Sequence, residues 1–571
     1  MKTKSFRIGT AFVLAMLVLA VAGAVVPAQA LTPTTVHDFN GTPGPTQPNI
    51  EAIAQGRDGN LYLTAAGGDG GAVNCTVTYC GEAFNITPSG TVTDVFDFSN
   101  NSCPANFCGT NAYGGLTLGA DGNFYGATFN GGTAGDNGTV FQLTPAGVAT
   151  ALHNFTGATD GSRPYGAPIQ GTNGIFYGTT TSAGVPNSTA YSVTSSGVFT
   201  TLHTFTGTDG QGIYAPLVQG IDGNFYGDTS AGGTSGNGVI FKMTKSGTVT
   251  VLHNFTGTDG SNGTFPLIQA SDGNFYGSTY AGGTAGAGVI FKITSKGTYT
   301  VLHNINGTTE GNNPWGSLVQ ATDGKLYGIT SNGCMNFDGG TIFSVTTSGT
   351  FTTLYSFTGS TDGANPLSPL RQHTNGLLYG TTNSGGDLND CAANECGVIV
   401  LGCGEVYSLN IGAAPFASLV STSGKEGAKI GILGQGFTTA SVVKFGGTQA
   451  TTVTLSGTTF ITATVPAAAL TGTVTVTTGA TTLTSDKTFR VTPTFPSFSP
   501  TSGSVGTPVV LTGTGLKQTT KVTFGGVKAT TVTVNSDTQV TANVPTGAVT
   551  GKIAITTLGG SVTSTTNFTV L

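Results

Sequence analysis

The chain is short of charge: Lys, Arg, Asp and Glu make up 8% of its 571 residues, about a third of the usual share. With 37% hydrophobic residues beside it, that scarcity excludes intrinsic disorder, which combines many charges with few apolar groups. Excess positive charge is also lacking. The formal net charge is −6, which argues against a nucleic-acid partner. Helical periodicity is absent, which disfavours helical repeats. Glycine is plentiful at 91 residues but follows no three-residue rule, so a collagen is excluded. No G-x-S-x-G elbow, H-E-x-x-H motif or P-loop occurs, so no catalytic residue is assigned. What remains is a Gly-, Thr- and Ser-rich, β-branched composition, which favours strands joined by tight turns.

Long apolar runs are confined to the first thirty residues. Lys2, Lys4 and Arg7 precede the apolar stretch Ala11 to Val26, and Ala28-Gln29-Ala30 supplies a small-residue cleavage signal. The expectation is a signal peptide over 1–30, removed to leave an exported chain, secreted or at the cell surface, without a transmembrane segment. That compartment permits disulfides. Cys75 and Cys80, Cys103 and Cys108, and Cys391 and Cys396 share C-x4-C spacing, while Cys334 and Cys403 complete an even set of eight. All eight are disulfide candidates. Their connectivity is open, and the absence of closer knuckles or nearby histidines argues for loop staples rather than zinc.

Self-similarity points to the fold. The phrase Asp-Gly-Asn-Phe-Tyr-Gly recurs with its tyrosine at Tyr62, Tyr125, Tyr177, Tyr226, Tyr276, Tyr327 and Tyr379, roughly every fifty residues. One unit parses into four strands: Pro216 to Gln219, Asn224 to Thr229, Val239 to Thr244 and Thr248 to Phe255. Four antiparallel strands per repeat make a propeller blade. The last repeat lacks a fourth strand after Leu409, and its missing Leu-His-Asn-Phe piece stands at the mature N-terminus as Thr34 to Phe39. A split repeat of this kind closes a ring and removes the open sheet edges.

The repeats resemble the bacterial GloVer ("choice-of-anchor") tandem-repeat family. The likeness lies in Gly288-Val289-Ile290-Phe291, Leu302-His303-Asn304 and Asp323-Gly324-Lys325-Leu326-Tyr327-Gly328, and it spans about residues 34–410. It implies an exported protein and brings no catalytic residues. Members often end in a sorting anchor, whereas Phe568 to Leu571 reads as a strand.

From about Pro415 a second unit appears twice. Gly427, Gly436, Phe445, Pro466 and Phe489 recur 79 residues later as Gly506, Gly515, Phe524, Pro545 and Phe568. Short Val/Thr strands spaced by Gly and Pro read as a small β-sandwich. Gly434-Gln435-Gly436-Phe437 and Phe445-Gly446-Gly447, with their counterparts in the second copy, are similar to the IPT/TIG immunoglobulin-like family. That resemblance implies spacer or docking modules. The expected fold is therefore all-β: a seven-bladed β-propeller over 31–412 followed by two immunoglobulin-like β-sandwiches, at 413–492 and 493–571. Residues 31–413 carry 8 basic against 23 acidic residues, and 414–571 carry 9 against 3. Opposite fields of this kind can dock the two parts or serve different partners.

Candidate chemistry is sparse. His37, His153, His203, His253 and His303 share one repeat position, which Phe96 and Tyr355 fill elsewhere, so a flat aromatic filler between blades explains the set better than a metal. The Asp-Gly turns exchange Asp for Asn at Asn173 and Asn375, which is hairpin chemistry. On the opposite rim lie Asp160, Asp209, Asp259, Glu310 and Asp362, with Asp69, Asp136, Asp338 and Asp387 in the second-to-third strand loops. No cofactor is expected. Calcium is the one cation such loops could hold, yet none has EF-hand or RTX spacing. Just before the first strands stand Tyr113, Tyr165, Tyr214, Phe265 and Trp315, the chain's single tryptophan, with Gln170, Gln219, Gln269 and Gln320 close by in sequence. Aromatic faces beside amides suit sugar stacking and hydroxyl bonding. The expected function is an adhesion-type recognition protein, a monomer whose rim binds an extracellular glycan or a surface protein. Its rivals are a polysaccharide hydrolase or lyase using rim carboxylates, and a structural surface protein.

Overall fold

The computed structural model describes residues 31–39, 45–46, 53–65, 67–68, 81–98, 109–133, 135–181, 188–331, 339–359, 361–386 and 404–571. The disulfide expectation lies outside the described residues at every position: Cys75, Cys80, Cys103, Cys108, Cys334, Cys391, Cys396 and Cys403. The leader over 1–30 lies outside them too, as do Asp69, Asp338 and Asp387 of the acidic loops. Every element among the described residues is a β-strand. No helix there is long and apolar enough to cross a membrane.

The repeat folds as its turn residues dictate. In the unit around Tyr226, Val218–Gln219, Phe225–Asp228, Val239–Met243 and Val249–Asn254 pair in series as one antiparallel sheet. Six further sheets of the same order lie along residues 34–409. In the last of these, Thr34–Asp38 pairs with Glu405–Leu409, so the N-terminal strand fills the fourth place of the sheet containing Tyr379. A shared apolar core joins each sheet to the next. The seventh joins the first in the same way, with Tyr379 and Val406 packed among Leu61, Leu63 and Phe84. The arrangement is a closed, propeller-like ring.

The repeated Phe-Tyr-Gly acquires a physical reason in this ring. Successive strand residues face opposite sides, so the tyrosine of one sheet meets the phenylalanine of the next. Ring centroids are 4.1 Å apart for Tyr62–Phe124, 3.7 Å for Tyr125–Phe176, 4.1 Å for Tyr177–Phe225 and 3.9 Å for Tyr226–Phe275. The glycine leaves room for an aromatic ring from the third strand: a Cβ on Gly277 would stand 2.6 Å from the Phe291 ring.

Residues 414–571 form two immunoglobulin-like sandwiches. The first stacks two four-stranded sheets, and the second a four-stranded and a five-stranded sheet. The 79-residue echo maps onto one core contact made twice. Phe445 meets Phe489 edge-on at 5.0 Å, and Phe524 meets Phe568 at 5.2 Å.

Candidate functional site

Antiparallel order puts the Asp-Gly turns and the third-to-fourth strand turns on one face of the ring. The second-to-third strand loops and the connections between sheets emerge on the other. On the turn face, Asp222 accepts hydrogen bonds from the Asn224 amide and, at 2.8 Å, from the Tyr226 hydroxyl. Asn173 reproduces the motif by donating to the Tyr177 hydroxyl, which explains the exchange of Asp for Asn. Burial, together with the bond to Asp222, raises the Tyr226 pKa.

The four glutamines also belong to this turn face, not beside the aromatics as expected from sequence. Each sits at the far end of a first strand. The side-chain oxygen of Gln170 accepts from Ala120 N, that of Gln219 from Thr172 N, that of Gln269 from Ile221 N and that of Gln320 from Ser271 N, each at 2.8 Å. Their amide nitrogens donate to the carbonyls of Gly174, Gly223, Gly273 and Gly324. Gln372 and Gln55 extend the series to the Thr322 and Thr374 amides. Both ends of each side chain are thus spent joining a turn to the turn of the neighbouring sheet. Where Leu118 replaces the glutamine, Arg57 Nη2 makes the bridge by donating to Ala120 O at 2.7 Å.

The first sandwich rests on this same face. Thr459 Oγ1 donates to Arg57 O at 2.8 Å, and the Arg57 guanidinium lies 4.5 Å over the Phe460 ring. Thr374 Oγ1 accepts from both Gln55 and Gln435 at 2.8 Å. Across the ring, Arg490 donates to the carbonyl of Ile221. Arg371 and Asp486 attract one another across the joint.

On the opposite face, the histidines pack between sheets as flat fillers. His153 stacks on Phe199 at 3.6 Å, His253 on Tyr299 at 3.9 Å and His303 on Phe351 at 4.3 Å. Their Nε2 atoms contact the rim carboxylates, at 3.0 Å for His153–Asp160, 2.7 Å for His203–Asp209, 3.1 Å for His253–Asp259 and 2.9 Å for His303–Glu310. Tyr355 donates to Asp362 in the fifth instance. Burial lowers the pKa of His153 and His253 against these carboxylates. Burial alone would raise Asp160, yet bonds from Thr156 and His153 hold it below the usual range. These carboxylates therefore cap their own loops. Asp136 does likewise, accepting from Gly131 N and Asn130. Among the described residues no group of three or more His, Cys, Asp or Glu is arranged to hold a metal ion.

The aromatics that precede the first strands gather on this face. Tyr113 stacks on Tyr165 at 5.2 Å, and Tyr165 meets Tyr214 edge-on at 5.6 Å, so three successive sheets contribute to one continuous arc. Phe129 completes it, 5.7 Å from Tyr113 and 6.0 Å from Tyr165. Tyr214 is 36% exposed, while Tyr113 and Tyr165 are partly covered. A second cluster joins Trp315 to Phe265 at 5.2 Å and to Tyr280 at 5.7 Å.

Phe265 corrects the expectation drawn from sequence. It is 2% exposed and lies one position out of register with Tyr214: Pro216 and Pro266 align, which pairs Tyr214 with Thr264 and Phe265 with Ala215. Alternation along the chain turns it inward. Three members of the face escaped sequence reasoning. Phe129 and Tyr280 follow their second strands, and their signal was an aromatic at a position held by Ser in two other repeats, Ser230 and Ser331. Arg163 is the third, with its guanidinium 5.2 Å over the Phe129 ring.

The sequence model of the Gloeobacter/Verrucomicrobia repeat matches residues 21–189 and 167–393, more than half of the chain. The chain belongs to that repeat family. The IPT/TIG domain matches residues 415–491 and 493–570. No curated protein matches. Among solved structures, a fungal alcohol oxidase of the AA5 family in complex with copper is similar over 93% of this chain and 100% of its own, at 14% identity and TM-score 0.44. A surface glycan-binding protein from Prevotella bryantii is similar over 26% of this chain and 38% of its own, at 18% identity and TM-score 0.21. A putative phosphatase from Bacteroides thetaiotaomicron is 29% identical over 14% of this chain, which spans 18% of that protein, at TM-score 0.13. None of these likenesses carries a function to this chain.

Proposed function

We propose that this is an exported recognition protein that binds an extracellular glycan on the face of the ring opposite the first sandwich. The carrying observation is the arc of Tyr113, Tyr165 and Tyr214, partly exposed rings brought together from three sheets. Tyrosine faces stack on the apolar faces of sugars, and their hydroxyls bond sugar hydroxyls. Loops over a rigid scaffold are where binding residues concentrate. The rim carboxylates already accept hydrogen bonds from their own loops, which favours binding over hydrolysis. The first sandwich acts as a docked cap on the turn face, and the second extends from it.

The test uses the mature chain, residues 31–571, against a panel of neutral and acidic polysaccharides, with retention and newly formed reducing ends both measured. Retention without cleavage is expected, weakened about tenfold by Tyr214→Ala, which corresponds to about 1.4 kcal/mol. New reducing ends that vanish with Asp209→Asn would replace the reading with a hydrolase or lyase. Retention of no polysaccharide would replace it with a structural surface protein.

A further inference from the structure

One position near the aromatic arc breaks the repeat. The residue two before Tyr113 has a left-handed backbone, with φ 60° at Asn111. Its counterparts are Arg163 (φ 55°), Gly212 (φ 68°), Asn262 (φ 60°), Asn313 (φ 55°) and Asn365 (φ 50°). The equivalence is structural: the carbonyls of Asn111, Arg163, Gly212, Asn262 and Asn313 each accept a backbone N–H from the end of the second strand. Gly and Asn tolerate this conformation, whereas other side chains pay about 1 kcal/mol or more to hold it. Arginine is the exception in the series. Strain kept against an easy alternative points to a use for the side chain.

The charge map isolates the same residue. Of the eight basic residues in 31–413, Arg57, Arg371 and Lys325 lie at the Asp-Gly turns. Lys242 and Lys292 face Asp222 and Asp272 at that end, and Lys245 and Lys296 occupy the third-to-fourth strand turns. Arg163 alone is on the opposite face. There it lies over Phe129, beside Tyr165, with no ion pair among the described residues.

We infer that Arg163 reads a carboxylate on the bound sugar chain, and that the ligand is a glycan with isolated uronates among neutral sugars. The inference rests on the glycan reading above and names its substrate class. The Arg163 guanidinium lies over the Phe129 ring and makes no ion pair among the described residues, so its N–H groups are available for a bidentate, charge-assisted bond to a carboxylate. The neighbouring tyrosines supply stacking surface for neutral sugars on either side. A densely charged polyanion suits the face poorly, because Asp160, Asp209, Asp259, Glu310 and Asp362 ring it with negative charge.

The experiment compares glucuronoxylan, the same polymer after carboxyl reduction, and polygalacturonate, using the mature chain and Arg163→Asn. Asparagine is the residue four other repeats place there, so the variant keeps the backbone conformation, and an unchanged melting temperature verifies it. Wild type is expected to bind glucuronoxylan at least about tenfold more tightly than the reduced polymer, with polygalacturonate weaker than glucuronoxylan. Arg163→Asn is expected to abolish the preference and leave affinity for the reduced polymer unchanged. Equal, Tyr214-dependent binding of both xylans would overturn the inference while leaving the glycan reading standing. Polygalacturonate binding that is strongest and indifferent to Arg163 would overturn it too. Binding of neither xylan overturns it as well, whereas the glycan reading falls only if the whole panel is unretained.

Discussion

Phe39 is where the ring can be opened by one substitution. It follows the N-terminal strand, is 2% exposed, and packs edge-on against Phe84 of the first sheet at 5.7 Å. Its amide donates to Gly404 O at 3.1 Å. Replacing a buried Phe by Ala costs about 3–5 kcal/mol. At most positions that cost is charged to the whole fold. In a chain cleaved after Ala30, as the leader signal implies, the strand is tethered at one end only, and fixing each of its residues already costs about 1–2 kcal/mol of backbone entropy. The loss therefore falls on a local equilibrium, release of Thr34 to Phe39 from Glu405–Leu409. At about 1.4 kcal/mol per decade, its open population rises by roughly two to four orders of magnitude. Phe255 is the control. It ends the equivalent strand inside the chain, is 0% exposed, and is held by continuous backbone on both sides. Hydrogen exchange of the 405–409 amides reads the difference. Phe39→Ala should strip protection from those 405–409 amides that face the N-terminal strand, at conditions where global stability persists, while the Glu405 amide, which donates to Thr382 Oγ1, keeps its own. Phe255→Ala should lower the melting temperature without singling any of them out. Equal protection of 405–409 in the two variants would refute the claim that the N-terminal strand is what closes the ring.

Two further outcomes follow from the same packing. Glu405 in this seam is pushed up to about 7, first by burial and then by the charges of Asp38 and Asp362. A carboxyl raised in the folded state binds its proton more tightly there, so its contribution is present at low pH and lost as pH rises from its ordinary range through about 7. Melting temperature should fall over that window, and Glu405→Gln should flatten the fall; an unchanged slope would count against the seam. Gly277→Ala should cost about 1–3 kcal/mol by forcing the Phe291 ring out of place, read by chemical denaturation, and a loss under about 0.5 kcal/mol would mean the ring yields freely.

The sequence was most legible where a residue type answers a backbone demand. Asp-Gly turns, the split repeat and the 79-residue echo each describe local geometry that recurs, and each corresponds to a strand pairing or core contact. The candidate site was legible only in part, because proximity in sequence does not say which end of a strand a side chain occupies. Gln219 is five residues from Tyr214, but the first strand runs between them from one face to the other, which separates the amides from the aromatics. Phe265 misled for a related reason: one residue of register decides inside from outside, and Pro266 sets that register. Arg163 went unnoticed because its peculiarity is a backbone angle shared with asparagines, visible only once the repeats are superposed.

The two faces of the ring therefore do different work. One joint recurs on the turn face, where six glutamines and one arginine join adjacent sheets, and where the first sandwich sits. A defect there would loosen the ring itself, so each repeat carries the same solution. The opposite face tolerates variation, because its loops cap themselves through His–carboxylate or Tyr–carboxylate contacts and leave neighbouring positions unconstrained. There Arg163 and Phe129 depart from the other repeats, and the position of Tyr113, Tyr165 and Tyr214 becomes Thr264 and Trp315 in two others. A ring of like units can recognise an unlike ligand only where its repeats differ, and the observed differences cluster on the side that the sandwich leaves open.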